Sequence, residues 1–310
     1  MLIRLAYDIQ FDLPADVAMA SLLYVHPSRA GDLLEPDELL TEPKLNVTGY
    51  LDTFGNRCAR FVAPRGHLRL SGSTLIRDSG QPDPVDFSAR ESAVADLPNE
   101  MLLFLLSSRY CEVDLFSNIA YELFGNIQPG WGRVQAICDW VHYKVTFNYS
   151  QARPTKTAMD VYTERVGVCR DFQHLAVTFC RALNIPARYA TGYLGDIGVP
   201  PNLPMDFSAW FEVWLGDRWW AFDARNNQPR IGRILMATGR DAADAALTTS
   251  FGQATLSHFF VVTEEETPPS RGEQPVFKAD LEADLEADLE ADLEADLEAG
   301  GPYLASPPGA

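Results

Sequence analysis

The segment 168–184 constrains the fold most, because it is a strongly helical pattern that only strand patterns follow. Its apolar residues recur at helical spacing, at Phe172, Leu175, Ala176, Phe179 and Leu183. Asn184 before Ile185-Pro186 marks its end. The strand patterns after it cover 188–193, 210–215, 219–223 and 259–263. One helix followed by antiparallel strands indicates an α+β fold rather than a doubly wound parallel sheet.

Strand patterns also fill the beginning of the chain. Apolar residues alternate with polar or small ones from Ile3 to Phe11, which is typical of a half-buried strand. Residues 45–62 read as two strands joined at the turn signal Gly55-Asn56, and 67–76 alternates again. We therefore predict an N-terminal antiparallel β domain over residues 1–85.

The rest of the chain divides by composition. Residues 86–98 are rich in Asp, Pro and Ser and predict a linker. The apolar spacing is then helical up to about residue 147, so we predict a mixed core over 99–266. His142 lies on one of these helical patterns, where we interpret it as a partly buried structural histidine. Residues 267–310 are predicted to be an acidic low-complexity tail.

The net charge of −18 is concentrated in that tail. Residues 279–298 are five copies of Ala-Asp-Leu-Glu, which contribute ten acidic residues and no basic ones. The remainder therefore carries only −8, since −18 less −10 leaves −8. A mildly acidic surface argues against nucleic acid as a partner.

Membrane insertion is not expected either. No run approaches the ~18 to 20 apolar residues that a spanning helix needs. The first eight residues alternate in polarity and do not resemble a signal peptide. These patterns favour the cytoplasm and no membrane partner; the oligomeric state stays open.

The five cysteines are odd in number and show no CxxC spacing, which argues against a disulfide framework and a zinc site. We expect no metal and no cofactor. Four of the thiols are interpreted as small buried apolar groups, which leaves one for chemistry.

Cys169 is that candidate. It begins the helical pattern and follows Gly167-Val168, so its thiol is expected at the first turn of a helix, beside a glycine that allows a tight approach. Unpaired amides and the helix dipole favour a thiolate there. Such a nucleophile needs a base and a third residue that orients the base.

A predicted hairpin supplies the second half of the constellation. Gly216-Asp217 is the turn, and centring the register between these residues pairs Trp210 with Asp223. Ser208 then becomes a diagonal neighbour on the same face, ~7–8 Å away. Position 208 is therefore well placed for a base held by Asp223.

These motifs resemble the bacterial transglutaminase-like family of papain-type cysteine hydrolases. The matching segments, in chain order, are 167–172, 185–189, Gly192-Tyr193, Ala209-Trp210 and 219–223. The N-terminal β region, with 52–56, resembles the domain that often precedes this family's core. The resemblance implies a helix bearing Cys169 packed on an antiparallel sheet, Cys169 as nucleophile and Asp223 as the orienting acid. We expect Gly167, Tyr193 and Trp210 in the substrate cleft.

Ser208 departs from the family pattern, which has a histidine directly before Ala-Trp. A serine is not a base near pH 7, and loss of a general base costs ~10²–10⁴ in rate. One hypothesis is a hydrolase or transamidase acting on peptide or protein amides through a Cys169 thioester, with impaired or altered catalysis. The alternative is an inactive member that binds peptides or serves as a scaffold.

Overall fold

Antiparallel sheets and α-helices make up the fold of the described residues, 1–201 and 205–266, in the computed structural model. The strands are β1 (Leu2–Leu13), β2 (Val17–Ser21), β3 (Leu40–Glu42), β4 (Thr48–Leu51), β5 (Arg57–Ala63), β6 (Gly66–Arg77), β7 (Thr146–Phe147), β8 (Val166–Gly167), β9 (Ala187–Tyr193), β10 (Phe207–Leu215), β11 (Arg218–Phe222), β12 (Ile234–Gly239), β13 (Thr248–Ser250) and β14 (Thr255–Glu265). The helices are α1 (Val113–Phe124), α2 (Trp131–Lys144), α3 (Ala158–Glu164) and α4 (Cys169–Ala182), with short 3₁₀ turns at Pro27–Asp32, Val94–Asp96, Asn99–Leu105 and Tyr149–Gln151. The α+β prediction is confirmed.

The N-terminal strands form two sheets, and the alternating apolar residues of these strands line the core that the sheets share. One sheet has the order β14-β1-β6-β3 and the other the order β13-β2-β5-β4. Every second residue of β1, from Ile3 to Leu13, is buried, as the period-two pattern predicts. These side chains share a core with apolar residues of β2, β5 and β6.

The C-terminal end of the described chain completes these two sheets. β14 pairs with β1 along its length, with Leu5 opposite Thr263, and β13 pairs with β2. The strand predicted at 259–263 therefore lies in the N-terminal sheet rather than beside the hairpin. Residues 1–266 cluster as one compact unit, and the division at residue 85 stays a prediction. The acidic tail lies outside the described residues.

A third sheet, of order β11-β10-β9-β12, carries the candidate site. α4 packs on β9 and β10 and is surrounded by α1, α2 and α3. Residues 171–182 of α4 are all buried, as in a helix enclosed on every side. Tyr193, Phe207, Ile234 and Met236 extend from the third sheet into the N-terminal apolar core, so the sheets are joined by continuous packing.

The described helices include none that is both long and apolar enough to cross a bilayer. The longest of them, α2 and α4, have 14 residues each. The expected cytoplasmic location and the absence of a membrane partner stay predictions.

Gly192 fixes the centre of the third sheet. It lies on β9, between Ser208 of β10 and Leu235 of β12. A Cβ atom here would lie 2.1 Å from the Ile234 carbonyl oxygen and 3.0 Å from Cη2 of Trp210. Backbone cannot retreat as a flexible side chain can, so this position requires glycine.

We expect Gly192→Ala to lower the free energy of unfolding by about 1–3 kcal/mol or more, because the added methyl group overlaps β12. The measurement is urea unfolding followed by circular dichroism. Gly132→Ala, near the start of α2, is the matched control, since nothing lies within 4 Å of a Cβ there. Equal midpoints for the wild type and Gly192→Ala would contradict this account of the packing.

Candidate active site

Cys169 is the first residue of α4, and the turn before it is firmly held. The Asp171 carboxylate accepts a hydrogen bond from the Val168 amide (3.0 Å) and caps the helix. A Cβ on Gly167 would lie 2.7 Å from Cβ of Asp171, so the absence of a side chain at this position leaves room for the Asp171 carboxylate. The close approach predicted at Gly167 is present, and it serves the cap that places Cys169.

Cys169 differs from the other four cysteines in its exposure. All five are free thiols; Cys169 is half-buried and the rest are buried, as the sequence predicts. Cys169 packs against a small apolar cluster that includes Tyr189 and Ala209. In the described part of the chain, no group of three or more His, Cys, Asp or Glu residues could hold a metal ion.

The environment of the thiol favours its neutral form. Burial raises the pKa of Cys169 to about 11, and the negative charge of Asp206 adds to this effect. Arg225 and a backbone hydrogen bond at Arg170 act in the opposite direction but are outweighed. Burial thus acts against the thiolate that the helix terminus favours.

Asp223 follows β11 and is buried, and both of its carboxylate oxygens accept hydrogen bonds. Its Oδ1 accepts hydrogen bonds from the Gln173 side chain (3.1 Å) and from the amides of Arg225 and Asn226 (both 3.0 Å). Its Oδ2 accepts one from the Asn226 side chain (2.8 Å), and Arg233 lies 3.5 Å away. Donors other than an imidazole thus hold the carboxylate that the family resemblance assigns to orienting a histidine.

Gln173 connects this carboxylate to the helix that carries the thiol. It lies on α4, four residues after Cys169, and is fully buried. Its amide nitrogen also donates to the Ala209 carbonyl (3.1 Å), and its oxygen accepts from the Ala224 amide (3.1 Å). One side chain therefore joins α4, β10 and the segment after β11.

Ser208 lies on β10, at the position within the hairpin that the sequence predicts. The register pairs Trp214 with Trp219 and Phe211 with Phe222, which centres the turn where the sequence places it. Ser208 lies opposite Gly192 and is 7% exposed. Its hydroxyl has no hydrogen-bond partner among the described residues, so it forms no hydrogen bond to Asp223.

A groove of about 250 Å³ opens beside Ser208. Its polar lining comprises Tyr149, Asp196, Asp206, Ser208, Arg225, Asn226 and Arg230. The Tyr149 hydroxyl donates to Oδ2 of Asp206 (3.2 Å), while the Arg225 guanidinium lies over the Phe147 ring (4.0 Å). The groove is therefore lined by two carboxylates and two guanidinium groups, together with Ser208, whose unpaired hydroxyl is buried.

The three residues expected in the cleft are placed differently. Trp210 is buried, with Arg233 over its ring at 4.8 Å, and Tyr193 packs against Phe207 in the N-terminal core. Gly167 is covered by Asp171. None of the three lines the groove.

No histidine replaces the missing base. His174 is buried in α4, where it stacks on Tyr110, lies against Tyr189 and accepts a hydrogen bond from the Ala242 amide (3.1 Å). His142 is bonded to the Arg225 carbonyl (2.8 Å). The remaining histidines, His26, His67 and His258, lie in the N-terminal sheets or their loops. No hydrogen bond or ion pair joins any of the five to Cys169 within the described part of the chain.

The comparisons with known proteins agree with this architecture. Residues 117–224 match the model of the transglutaminase-like superfamily. An uncharacterised protein of Mycobacterium leprae is 31% identical over 217 residues, covering 66% of this chain and 76% of the relative. One from Mycobacterium tuberculosis is 35% identical over 213 residues, covering 62% and 68%.

A solved structure extends the match over both parts of the fold. It is a protein from Cytophaga hutchinsonii whose designation as a cysteine protease is provisional. The two are 30% identical, the match covers 90% of this chain and 94% of the other, and the TM-score is 0.73. The chain belongs to the transglutaminase-like superfamily.

Sequence reasoning missed several residues around the site. Gln173, Arg233, Tyr149 and Asp206 were not singled out, although each contacts Asp223 or lines the groove. Asp206 gave no periodic signal, because it precedes β10, which begins at Phe207. Tyr149 gave none, because it lies in a 3₁₀ turn without a periodic pattern.

We expect iodoacetamide to label Cys169 before the four buried cysteines, with an apparent pKa close to 11 rather than below the ~8.5 of a free thiol. Mass spectrometry of tryptic peptides across pH 6–11 (about the range a stable protein tolerates) measures this. Cys58 and Cys180 are internal controls, because both are buried. A Cys169 profile with its midpoint near neutral pH would contradict the assigned environment.

Proposed function

We propose that the chain is a cysteine-dependent amide hydrolase or transamidase whose catalysis is altered by Ser208. The observation that carries the proposal is the position of Cys169. It is a half-buried thiol at a capped helix start, and Gln173 links the helix that carries it to the buried Asp223. Peptide or protein amides are the proposed substrates, since the groove is open and carries charged groups at its walls.

In this proposal the sulfur of Cys169 attacks the carbonyl carbon of the amide. The amine leaves, and the acyl group stays on sulfur as a thioester. Water then releases a carboxylic acid, or a second amine takes the acyl group. The two outcomes differ only in which nucleophile reaches the thioester.

Cys169→Ala tests the proposal. We expect p-nitrophenyl acetate to add one acetyl group to Cys169 of the wild type and none to this variant, as read by intact mass and peptide mapping. Adding hydroxylamine or glycinamide to the acetylated protein separates transfer from hydrolysis. A wild type that is not acetylated at Cys169 would show that the thiol is structural.

The second candidate function is peptide binding without turnover. Two observations favour it: Ser208 provides no base, and burial raises the pKa of the Cys169 thiol to about 11. A member of this kind would bind peptides in the groove equally well with Cys169 or with alanine at that position. Binding of a fluorescent peptide mixture without acetylation of Cys169 would therefore support it.

Ser208→His is expected to raise the rate of thioester formation by about 10²-fold, the lower end of what a general base contributes. The gain is limited because Asn226 and Gln173 already bond to Asp223. Release of p-nitrophenol measures the rate, and Ser208→Gln is the control of similar size without basicity. Equal rates for the two variants would mean that an imidazole at 208 does not reach the thiol.

A further inference from the structure

The groove of about 250 Å³ is lined by four charged side chains, and two of them neutralise each other. Arg230 is buried and forms an ion pair with Asp196 (3.3 Å). Its guanidinium also donates to the Gly195 carbonyl (2.9 Å), which fixes it in the wall of the groove. This pair therefore adds no net charge. The two charges that remain are those of Arg225 and Asp206.

Arg225 is a cation without an ionic partner. Its guanidinium lies over the Phe147 ring, 4.0 Å from the ring centroid. In the part of the chain that the structure describes, the Arg225 side chain forms no hydrogen bond and no ion pair. A guanidinium carries several N–H donors and no acceptor, so this side chain has donors to offer to an anion. Stacking on a ring occupies its face and leaves the edge, where the N–H groups point, for a planar carboxylate.

Asp206 is the opposite charge, and within residues 1–201 and 205–266 it forms no ion pair either. The Tyr149 hydroxyl donates to its Oδ2 (3.2 Å), and the Phe207 amide donates to the same carboxylate. Burial raises the pKa of Asp206, and this effect outweighs both hydrogen bonds and the charge of Arg225. A carboxylate in these surroundings is stabilised by a cation that comes close to it.

Two aromatic rings connect these charges. The rings of Phe147 and Tyr149 meet edge to face, with their centroids 4.9 Å apart, and both line the groove. Arg225 lies on the first ring, and the hydroxyl of the second reaches Asp206. An unpaired cation and an unpaired carboxylate therefore share one groove, with an apolar surface between them.

From this arrangement we propose that the groove binds an α-amino acid through its zwitterionic head group. Arg225 binds the carboxylate, and Asp206 binds the ammonium group. The side chain of the amino acid lies on Phe147 and Tyr149. A ligand with a single charge would meet one attracting group and one that repels it, so the zwitterion is preferred. This binding goes beyond the proposed function and is independent of Cys169, which does not line the groove.

This class of ligand differs from a peptide segment. A residue inside a chain carries neither of the two backbone charges, and a chain terminus carries one. A free amino acid, or one attached through its side chain, carries both charges on neighbouring atoms. The volume of about 250 Å³ lies below the ~300–1,000 Å³ of sites for drug-sized ligands and suits one such group.

L-Norvaline is the probe, because its propyl side chain is unreactive and its charges can be removed one at a time. Pentanoate keeps only the carboxylate, and butylamine keeps only the ammonium group. We expect norvaline to bind the full-length wild type with a Kd of ~1 mM and each analogue to bind about tenfold more weakly, since each lacks one charge-assisted contact. Isothermal titration calorimetry at low ionic strength, where charges are least screened, measures all three affinities.

Two substitutions separate this role from a structural one, because each acts on a different analogue. Asp206→Asn should weaken norvaline about tenfold and bind pentanoate at least as well as the wild type does, since the repelling carboxylate is gone. Arg225→Gln should weaken norvaline about tenfold and bind butylamine at least as well, for the converse reason. Arg218→Gln is the matched control and should leave all three affinities at wild-type values. The Arg218 guanidinium also lies over a ring, 4.2 Å from the centroid of Trp220, but does not line the groove.

Each other outcome overturns the proposal. Equal affinities for norvaline and pentanoate would make the groove an anion site, and equal affinities for norvaline and butylamine would make it a cation site. An absence of binding heat with norvaline at about 10 mM, well above the expected Kd, would show that no such site exists. Equal weakening of all three ligands in Asp206→Asn and Arg225→Gln would show a disturbed groove instead of two separate contacts. Acetylation of Cys169 is measured independently, so none of these results decides the proposed function.

Discussion

The buried carboxylate of Asp223 is the point at which the parts of the site are joined. Gln173 bonds to it from α4, and Asn226 bonds to it from the segment after the hairpin. Arg233 lies 3.5 Å from it and also bonds to Asp83, in the approach to the linker. A buried charge without partners costs several kcal/mol, so these donors and the carboxylate hold one another in place.

This arrangement explains why the fold tolerates the loss of the family's histidine. An imidazole at position 208 would be one donor among several, and Asn226, Gln173 and two backbone amides already fill those positions. The carboxylate would therefore stay satisfied whatever side chain stands at 208. The hydrogen-bond network around Asp223 is therefore complete without an imidazole.

The fold and half of the site were predictable because their signals are local. The helix of Cys169, the hairpin register and the place of Ser208 follow from apolar spacing and one turn. The pairing of β14 with β1 was not predictable, since it joins opposite ends of the described chain. The contact of Tyr149 with Asp206 was missed for the same reason: the two are 57 residues apart and neither lies in a regular element.

The protonation state of the thiol shows where sequence reasoning stops. The start of α4 is visible in the sequence, and a helix terminus contributes at most about 2 kcal/mol in favour of a thiolate. Burial depends on what packs around the sulfur, here the cluster with Tyr189 and Ala209 and the nearby Asp206. These groups meet only in the folded chain, and burial is the largest of the effects that act on the pKa of the thiol. A thiol that stays protonated needs a group to receive its proton during attack, which a site that already holds a thiolate does not require.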